Sequence, residues 1–235
     1  MKGFILCAGT GERLRPLTYT TPKPLIEVGN ITLLERIITK FKKNSINEIA
    51  INLHHLSDKI KDFLNSNDFG VNFHLYYEKD LLDTGGALKN IKDFIDDFLL
   101  IHNGDILTEF DITEAYRYHL KNENDATLCI MERESPRKLC FDDNMNLVGW
   151  FNSDKNAGKG DFFNKRKYSF IGVYLISPAI TAYFPAENRF GLFDFLIKNL
   201  KNIKIKGFLV KPDYWFDIGN IEKLNKARES FSEGQ

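Results

Sequence analysis

Net charge is the first thing this 235-residue sequence lacks: 32 basic residues are balanced by 32 acidic ones. A chain with no surplus of either sign presents no general basic face to nucleic acid or to an anionic membrane. Any anion site must then be a local concentration of cations. Cysteine is scarce, with Cys7, Cys129 and Cys140 lying in or beside apolar strand-like runs. Three thiols without close spacing suggest neither a disulfide framework nor a zinc site, and they are read as buried thiols of a cytoplasmic protein. No apolar run approaches the ~20 residues of a membrane span, and the chain enters a strand at once, so no signal peptide is expected. Repeats and low-complexity tracts are also missing. What is present is ordinary for a soluble globular protein: 43% hydrophobic and 27% charged residues, in a length that suits one large α/β domain or two small ones.

The first third alternates strand and helix. Phe4 to Ala8 is a short apolar run of the kind buried on both faces. Ile31 to Lys42 carries Leu33, Leu34, Ile37, Ile38 and Phe41 at helical spacing. A strand is expected at Glu48 to Leu53, a helix capped by Ser57, and a strand at Val71 to Tyr77. This β-α-β-α-β order predicts an α/β fold with a doubly wound, mostly parallel Rossmann-like sheet and helices on both faces. A helix over Ala87 to Phe94, a strand at Phe98 to Ile101, a helix over Ile112 to Lys121 started by Asp111, and a strand at Ala126 to Glu132 continue the pattern. It then changes. Arg137 to Trp150 reads as a hairpin turning at Asp142-Asp143-Asn144, residues 152–167 as a loop or lid, and Tyr168 to Ile176 as a returning strand. A short helix opened by Ser177-Pro178, a helix at Leu192 to Leu200, a strand at Ile203 to Val210 and a last helix from Ile221 to Ser230 complete the chain.

The chemistry is concentrated at the start. The strand breaks at Gly9-Thr10-Gly11, where missing side chains let the backbone approach a ligand and turn its N–H groups toward it. Arg13, Arg15 and Lys23 bring three cations to the same loop, and Pro16, Pro22 and Pro24 stiffen it. Strand, glycine loop and cations suit a polyphosphate better than a plain turn with solvated side chains. A dinucleotide fingerprint is excluded because Leu14 stands at the third glycine position. A Walker A loop is excluded because no Gly-Lys-Ser/Thr follows. His54 and His55 invite a metal reading, but neighbours on an extended chain point to opposite faces. One of them is read as a strand-end hydrogen-bonding residue.

The longer pattern, Gly9-x-Gly11-x-Arg13-x-x-Pro16-x-Thr18 followed by Pro22-Lys23-Pro24, resembles the signature of the sugar-1-phosphate nucleotidyltransferases. Asn103-Gly104-Asp105 and Trp215-Phe216-Asp217-Ile218-Gly219 occur in that family's order, and the resemblance runs from Lys2 to about Ala227. It implies a Mg²⁺-dependent enzyme joining a nucleoside triphosphate to a sugar 1-phosphate, with release of pyrophosphate. The implied catalytic residues are Arg13, Lys23, Asp105 and Asp217, the last two as metal ligands. Leu6, Ala8, Gly9, Thr10, Gly11, Thr84, Gly85, Gly86 and Asn103 are the implied nucleotide contacts, with Arg13 and Lys23. Glu78, Gly149 and Gly172 are the implied sugar contacts. The chain is expected to be one nucleotidyltransferase domain. Its residues 1–133 would mainly bind nucleotide; residues 134–235, with a small β-rich insertion, would mainly bind sugar and supply the second metal ligand. The family usually carries a Glu-Lys-Pro for the sugar phosphate; none is present, and Lys155 and Lys165 are the replacements weighed.

The short C-terminus and Asp83-Thr84-Gly85-Gly86 look most like small bacterial N-acetylmuramate-1-phosphate uridylyltransferases. UTP is therefore the favoured triphosphate, with N-acetylmuramate 1-phosphate or a hexose 1-phosphate as acceptor. Mannose- or heptose-1-phosphate guanylyltransferases, choline-phosphate cytidylyltransferases and a non-catalytic regulatory subunit of the same fold are the alternatives. A monomer or small homo-oligomer is expected, with no nucleic-acid or membrane partner.

Overall fold

A computed structural model of the chain describes residues 1–232. In chain order its strands and helices are β1 (Lys2–Leu6), β2 (Glu27–Val28), β3 (Ile31–Thr32), α1 (Leu33–Lys43), β4 (Glu48–Leu53), α2 (Ser57–Ser66), β5 (Asn72–Tyr77) and α3 (Asp83–Asn90). They continue as β6 (Leu99–Asn103), β7 (Ile106–Glu109), α4 (Ile112–Lys121), β8 (Ala126–Met131), β9 (Arg137–Phe141), β10 (Leu147–Asn152), β11 (Ala157–Gly160) and β12 (Arg166–Ile176). The last are α5 (Leu192–Lys198), β13 (Ile205–Leu209), β14 (Tyr214–Asp217) and α6 (Ile221–Ser232). The described chain divides into two compact units, one of residues 1–81, 102–109 and 212–232, the other of residues 82–101 and 110–211. None of the helices among the described residues is long and apolar enough to cross a membrane.

The first unit is built as an α/β layer. β1, β4 and β5 lie side by side and parallel, with Ile5 opposite Ile51 and Ile51 opposite Leu75. β4 is buried along nearly its whole length, as expected of a strand in such a sheet. α1 begins where the Thr32 side chain accepts the Glu35 N–H at 3.1 Å, and it buries Leu33, Leu34, Ile37, Ile38 and Phe41 on one face. α2 departs from the expected start: Leu56, at φ 51°, occupies the cap position and Ser57 is the first helical residue, with no side-chain cap. A further core of Leu14, Ile26, Val28, Leu33, Leu107, Ile218 and Leu224 joins the N-terminal loop, β7 and α6.

The second unit is antiparallel for the most part. β12 pairs with β8 over Ser169–Ile176 and with β9 over Arg166–Tyr168; β9, β10 and β11 form a meander, and β13 adds to β8 in parallel. Residues 152–167, expected as a loop, contain β11, whose Gly160 faces Gly149 across the hairpin. α4 has the expected bounds, and the Asp111 carboxylate accepts the N–H groups of Thr113 and Glu114. α3 begins two residues before Gly85, so the glycine pair lies inside the helix and not ahead of it. The reason is Asp83 at φ 59°, a left-handed residue that turns the chain into the helix early.

Candidate functional site

At the carboxyl end of β1 the chain leaves the sheet through residues 7–11. The Cys7 N–H donates to Asn52 Oδ1 at 2.7 Å, and Asn52 Nδ2 donates to Glu78 Oε1 at 2.7 Å, so the tips of β1, β4 and β5 are joined through side chains. Glu78 is buried here. His54 Nδ1 meets the Glu78 carbonyl at 2.8 Å and His55 Nε2 the Thr18 carbonyl at 2.9 Å, so both histidines are strand-end hydrogen-bonding residues. Leu6 is the last residue of β1 and Ala8 is buried just beyond it.

The glycine loop follows. Gly11 has φ +67°, and a Cβ there would lie 2.8 Å from Thr18 Cγ2, so both its conformation and its space require glycine. The Thr18 hydroxyl donates to the Gly11 carbonyl at 2.9 Å, and Leu14 N–H does so at 2.9 Å, fixing the turn. Gly9 is different: a Cβ there would meet nothing within 4 Å. Among the described residues, no acceptor takes the N–H groups of Gly9, Thr10 and Gly11. Backbone donors left open at the surface are available to a bound anion. Arg13 lies in the short turn Glu12–Leu14, and its guanidinium also has no partner among the described residues.

Lys23 is directed elsewhere. Its Nζ stands 2.6 Å from Asp105 Oδ2, with the lysine side chain 12% exposed and the aspartate 31%. Asp105 is held at the turn between β6 and β7. There Gly104 N–H donates to the Leu6 carbonyl at 2.9 Å, and a Cβ on Gly104 would come within 2.7 Å of that same oxygen. The loop glycine thus allows the turn to sit against the end of β1, with Asn103 just before it at the end of β6. Burial first, and then the Asp105 charge, push the Cys7 thiol well above its ordinary range, so this cysteine is an inert core residue.

Asp217 reaches the same place from the far end of the sequence. β14 pairs antiparallel with β7, with Asp217 opposite Ile106, and Ile218 N–H donates to the Asp105 carbonyl at 2.9 Å. A Cβ on Gly219 would lie 3.0 Å from Asp217 Oδ1 and 3.4 Å from Arg13 Nη2, so the guanidinium and the second carboxylate flank one glycine. Arg13, Lys23, Asp105 and Asp217 are therefore gathered by the first unit. Two half-exposed carboxylates at the ends of neighbouring strands are hard oxygen donors of the kind Mg²⁺ takes together with substrate phosphates, and they fit that ion. Sequence reading passed over three partners here. Asn52 joins the strand tips. Lys223 Nζ pairs with Asp217 Oδ2 at 2.7 Å. Lys40, on α1 and 7% exposed, donates to the Thr108 carbonyl at 2.9 Å and pins β7.

The other named residues belong to the second unit. Gly85 and Gly86 both donate their N–H groups to the Phe190 carbonyl, at 3.0 and 3.1 Å. A Cβ on Gly85 would strike the Phe190 ring and one on Gly86 the Asn188 carbonyl, so the glycine pair is needed for close packing within this unit. Thr84 Oγ1 accepts the Leu192 N–H at 3.4 Å. Gly149 backs onto the Lys159 carbonyl, and Gly172, at φ 86°, sits where β12 slips register against β8. Lys165 pairs with Asp161 at 3.0 Å, whereas Lys155 lies in the turn between β10 and β11.

A parallel sheet with its glycine loop at the carboxyl end of the first strand places the chain among the α/β proteins. Within that class it belongs to the nucleotidyl transferase family, which matches residues 2–141. A UTP–glucose-1-phosphate uridylyltransferase of Synechocystis is 27% identical over 94% of this chain, which spans 61% of that protein's length. A D-glycero-alpha-D-manno-heptose 1-phosphate guanylyltransferase of Campylobacter jejuni is 26% identical over 93% of this chain and 95% of its own. The crystal structure of HddC from Yersinia pseudotuberculosis superposes with a TM-score of 0.80 at 25% identity, covering 98% of this chain and 99% of that one. A second structure of HddC holds GMP-PN.

Proposed function

We propose that the protein transfers a nucleotidyl group from a nucleoside triphosphate to a sugar 1-phosphate, giving an NDP-sugar and pyrophosphate. The observation that carries this reading is the gathering, within the first unit, of the open Gly9–Gly11 amides, the unpartnered Arg13, the Lys23–Asp105 ion pair and Asp217. A phosphate oxygen of the sugar phosphate attacks the α-phosphorus in line. The bond from that phosphorus to the oxygen bridging to the β-phosphorus breaks, and its electrons leave with pyrophosphate. No protein nucleophile is required, so the residues act by positioning and by neutralising charge. The loop amides hold the triphosphate, Arg13 neutralises the departing pyrophosphate, and Lys23 moves its charge from Asp105 to the α-phosphate region. Asp105 and Asp217 are the residues that would hold Mg²⁺, which supplies charge neutralisation on phosphate oxygens when bound.

Leu6, Ala8, Thr10, Asn103, Thr84, Gly85 and Gly86 are assigned to the nucleotide, and Glu78, Gly149 and Gly172 to the sugar. Lys155 is the better candidate cation for the sugar phosphate, because Lys165 already has Asp161 as its partner. The chain is taken as one nucleotidyltransferase domain acting as a cytoplasmic monomer or small homo-oligomer. UTP with N-acetylmuramate 1-phosphate or a hexose 1-phosphate is the first pairing. GTP with a heptose 1-phosphate is the second, supported by a guanylyltransferase relative that matches nearly end to end in both chains.

Pyrophosphate release with Mg²⁺ across a grid of triphosphates and acceptors, choline phosphate included, is the test. Release that needs one triphosphate and one sugar 1-phosphate together supports the reading and names the pair. Release with choline phosphate, or no release from folded protein that binds no triphosphate, overturns it, the latter in favour of a regulatory subunit.

A further inference from the structure

The last helix starts with a favoured cap and an acidic residue, Glu222, in its first turn, but carries a lysine beside them. Asn220 Oδ1 accepts the Lys223 N–H at 2.9 Å and closes the first turn of α6. This puts a cation at the positive end of the helix dipole, at the position where a capping box carries Glu or Gln. Lys223 turns back along the chain, and its Nζ lies 2.7 Å from Asp217 Oδ2. Lys23 meets Asp105 in the same way at 2.6 Å. Each carboxylate of the site thus has its own ammonium. The two partners of the second pair are not equally free to move. Asp217 is fixed by its place in the β7–β14 ladder, while the Lys223 side chain is 45% exposed and on the surface of a helix. A flexible, hydrated ammonium leaves such a pair at small cost.

We propose that Lys223 is a positioning residue: it holds the Asp217 carboxylate and competes with a divalent cation for Oδ2, so that metal enters against a built-in counterion. One cation at the start of an otherwise regularly capped helix, with its compensation on a site carboxylate, is where a functional constraint is expected. The inference rests on the metal-ligand reading of Asp105 and Asp217 given above.

The test is Mn²⁺ binding to the full chain without substrates, followed by the electron paramagnetic resonance of the free ion. Lys223→Ala is expected to bind Mn²⁺ about threefold or more tightly than the unaltered protein, the scale of one partly exposed ion pair. Lys223→Arg, which keeps the charge, should bind as the unaltered protein does. In an Asp217→Asn background the Lys223→Ala gain should vanish. The Mg²⁺ concentration giving half-maximal pyrophosphate release should fall in Lys223→Ala in step with the Mn²⁺ constant. Equal or weaker Mn²⁺ binding by Lys223→Ala, or a gain that survives Asp217→Asn, overturns this inference alone. Mn²⁺ binding that is indifferent to Asp217→Asn itself overturns the ligand reading beneath it.

Discussion

The N–H of Ile218 donates to the carbonyl of Asp105 at 2.9 Å. This backbone bond ties together two stretches more than a hundred positions apart in sequence, and it uses neither carboxylate. The neighbouring Asp217 can therefore change its side chain without losing its place.

The first prediction follows from that tether. Asp105→Ala and Lys23→Ala should each lower turnover by at least about 10²-fold, the usual loss for one preorganised charge. The melting temperature should stay close to that of the unaltered protein, since Gly104, Ile106 and Ile218 keep their backbone partners. Steady-state pyrophosphate release and a thermal melt on the same preparations check both halves. Near-normal turnover in either variant removes that residue from the catalytic set.

The two loop glycines should behave differently. Gly11→Ala forces a left-handed conformation on a side chain that also meets Thr18, at a cost of about 1–2 kcal/mol, and should lower the melting temperature by several degrees. Gly9→Ala has open space and should leave the melt unchanged. Its effect should appear as weaker triphosphate binding by calorimetry, because the new methyl stands on the backbone assigned above to the triphosphate. A melt that falls equally in both would show that Gly9 too is needed for the fold.

Gly86→Ala should destabilise the protein with no ligand present. Its Cβ would press on the Asn188 carbonyl and on Leu82 Cβ at 3.0 Å, and a main-chain oxygen cannot move aside cheaply. Differential scanning calorimetry of the ligand-free variant is the measurement. An unaltered transition would mean that this glycine serves the nucleotide alone.

Acid should weaken the fold through its buried histidines. Burial pushes His119 down to about 4, with Asp125 opposing, and pushes His102 down to about 3, assisted by the Lys40 charge. Both are neutral in the folded protein, whereas the unfolded chain takes up these protons near pH 6.5. The unfolded state then binds more protons below that pH. The stability these residues contribute is full above about pH 6.5 and is lost as pH falls toward the folded values. Urea midpoints should drop between pH 7 and 5, and His119→Gln should flatten the drop. An equally steep loss in that variant would acquit His119.

The parts of the fold that were legible in the sequence are those decided locally. β4 and α4 have the expected bounds because each carries its own period and, for α4, its own cap. The start of α3 is not legible in the sequence, since it is set by a left-handed Asp83 whose carboxylate meets Arg189, far along the chain, at 3.1 Å. β11 is hidden in the sequence because its polar, glycine-bearing residues look irregular until β10, with Gly149 opposite Gly160, supplies their partner. At the site, Arg13, Lys23, Asp105 and Asp217 were legible through their motifs. Lys40, Asn52 and Lys223 were not, since a lysine or asparagine gains its meaning only from a partner that chain closure delivers. Lys223 did leave one trace: a cation in the first turn of a helix.

The first unit is assembled from the two ends of the chain, with β7 between them. During synthesis β1, its glycine loop and Asp105 leave the ribosome long before Asp217 is made. Until residue 212 and its successors emerge, β7 has no β14 beside it, and the apolar faces of Leu14, Val28 and Leu107 await α6. The nascent protein must therefore pass through a stage in which its second unit can be complete while its first is open along one side. At that stage it is exposed to premature self-association and to proteases, and a chain cut short in its last few dozen residues would stay there.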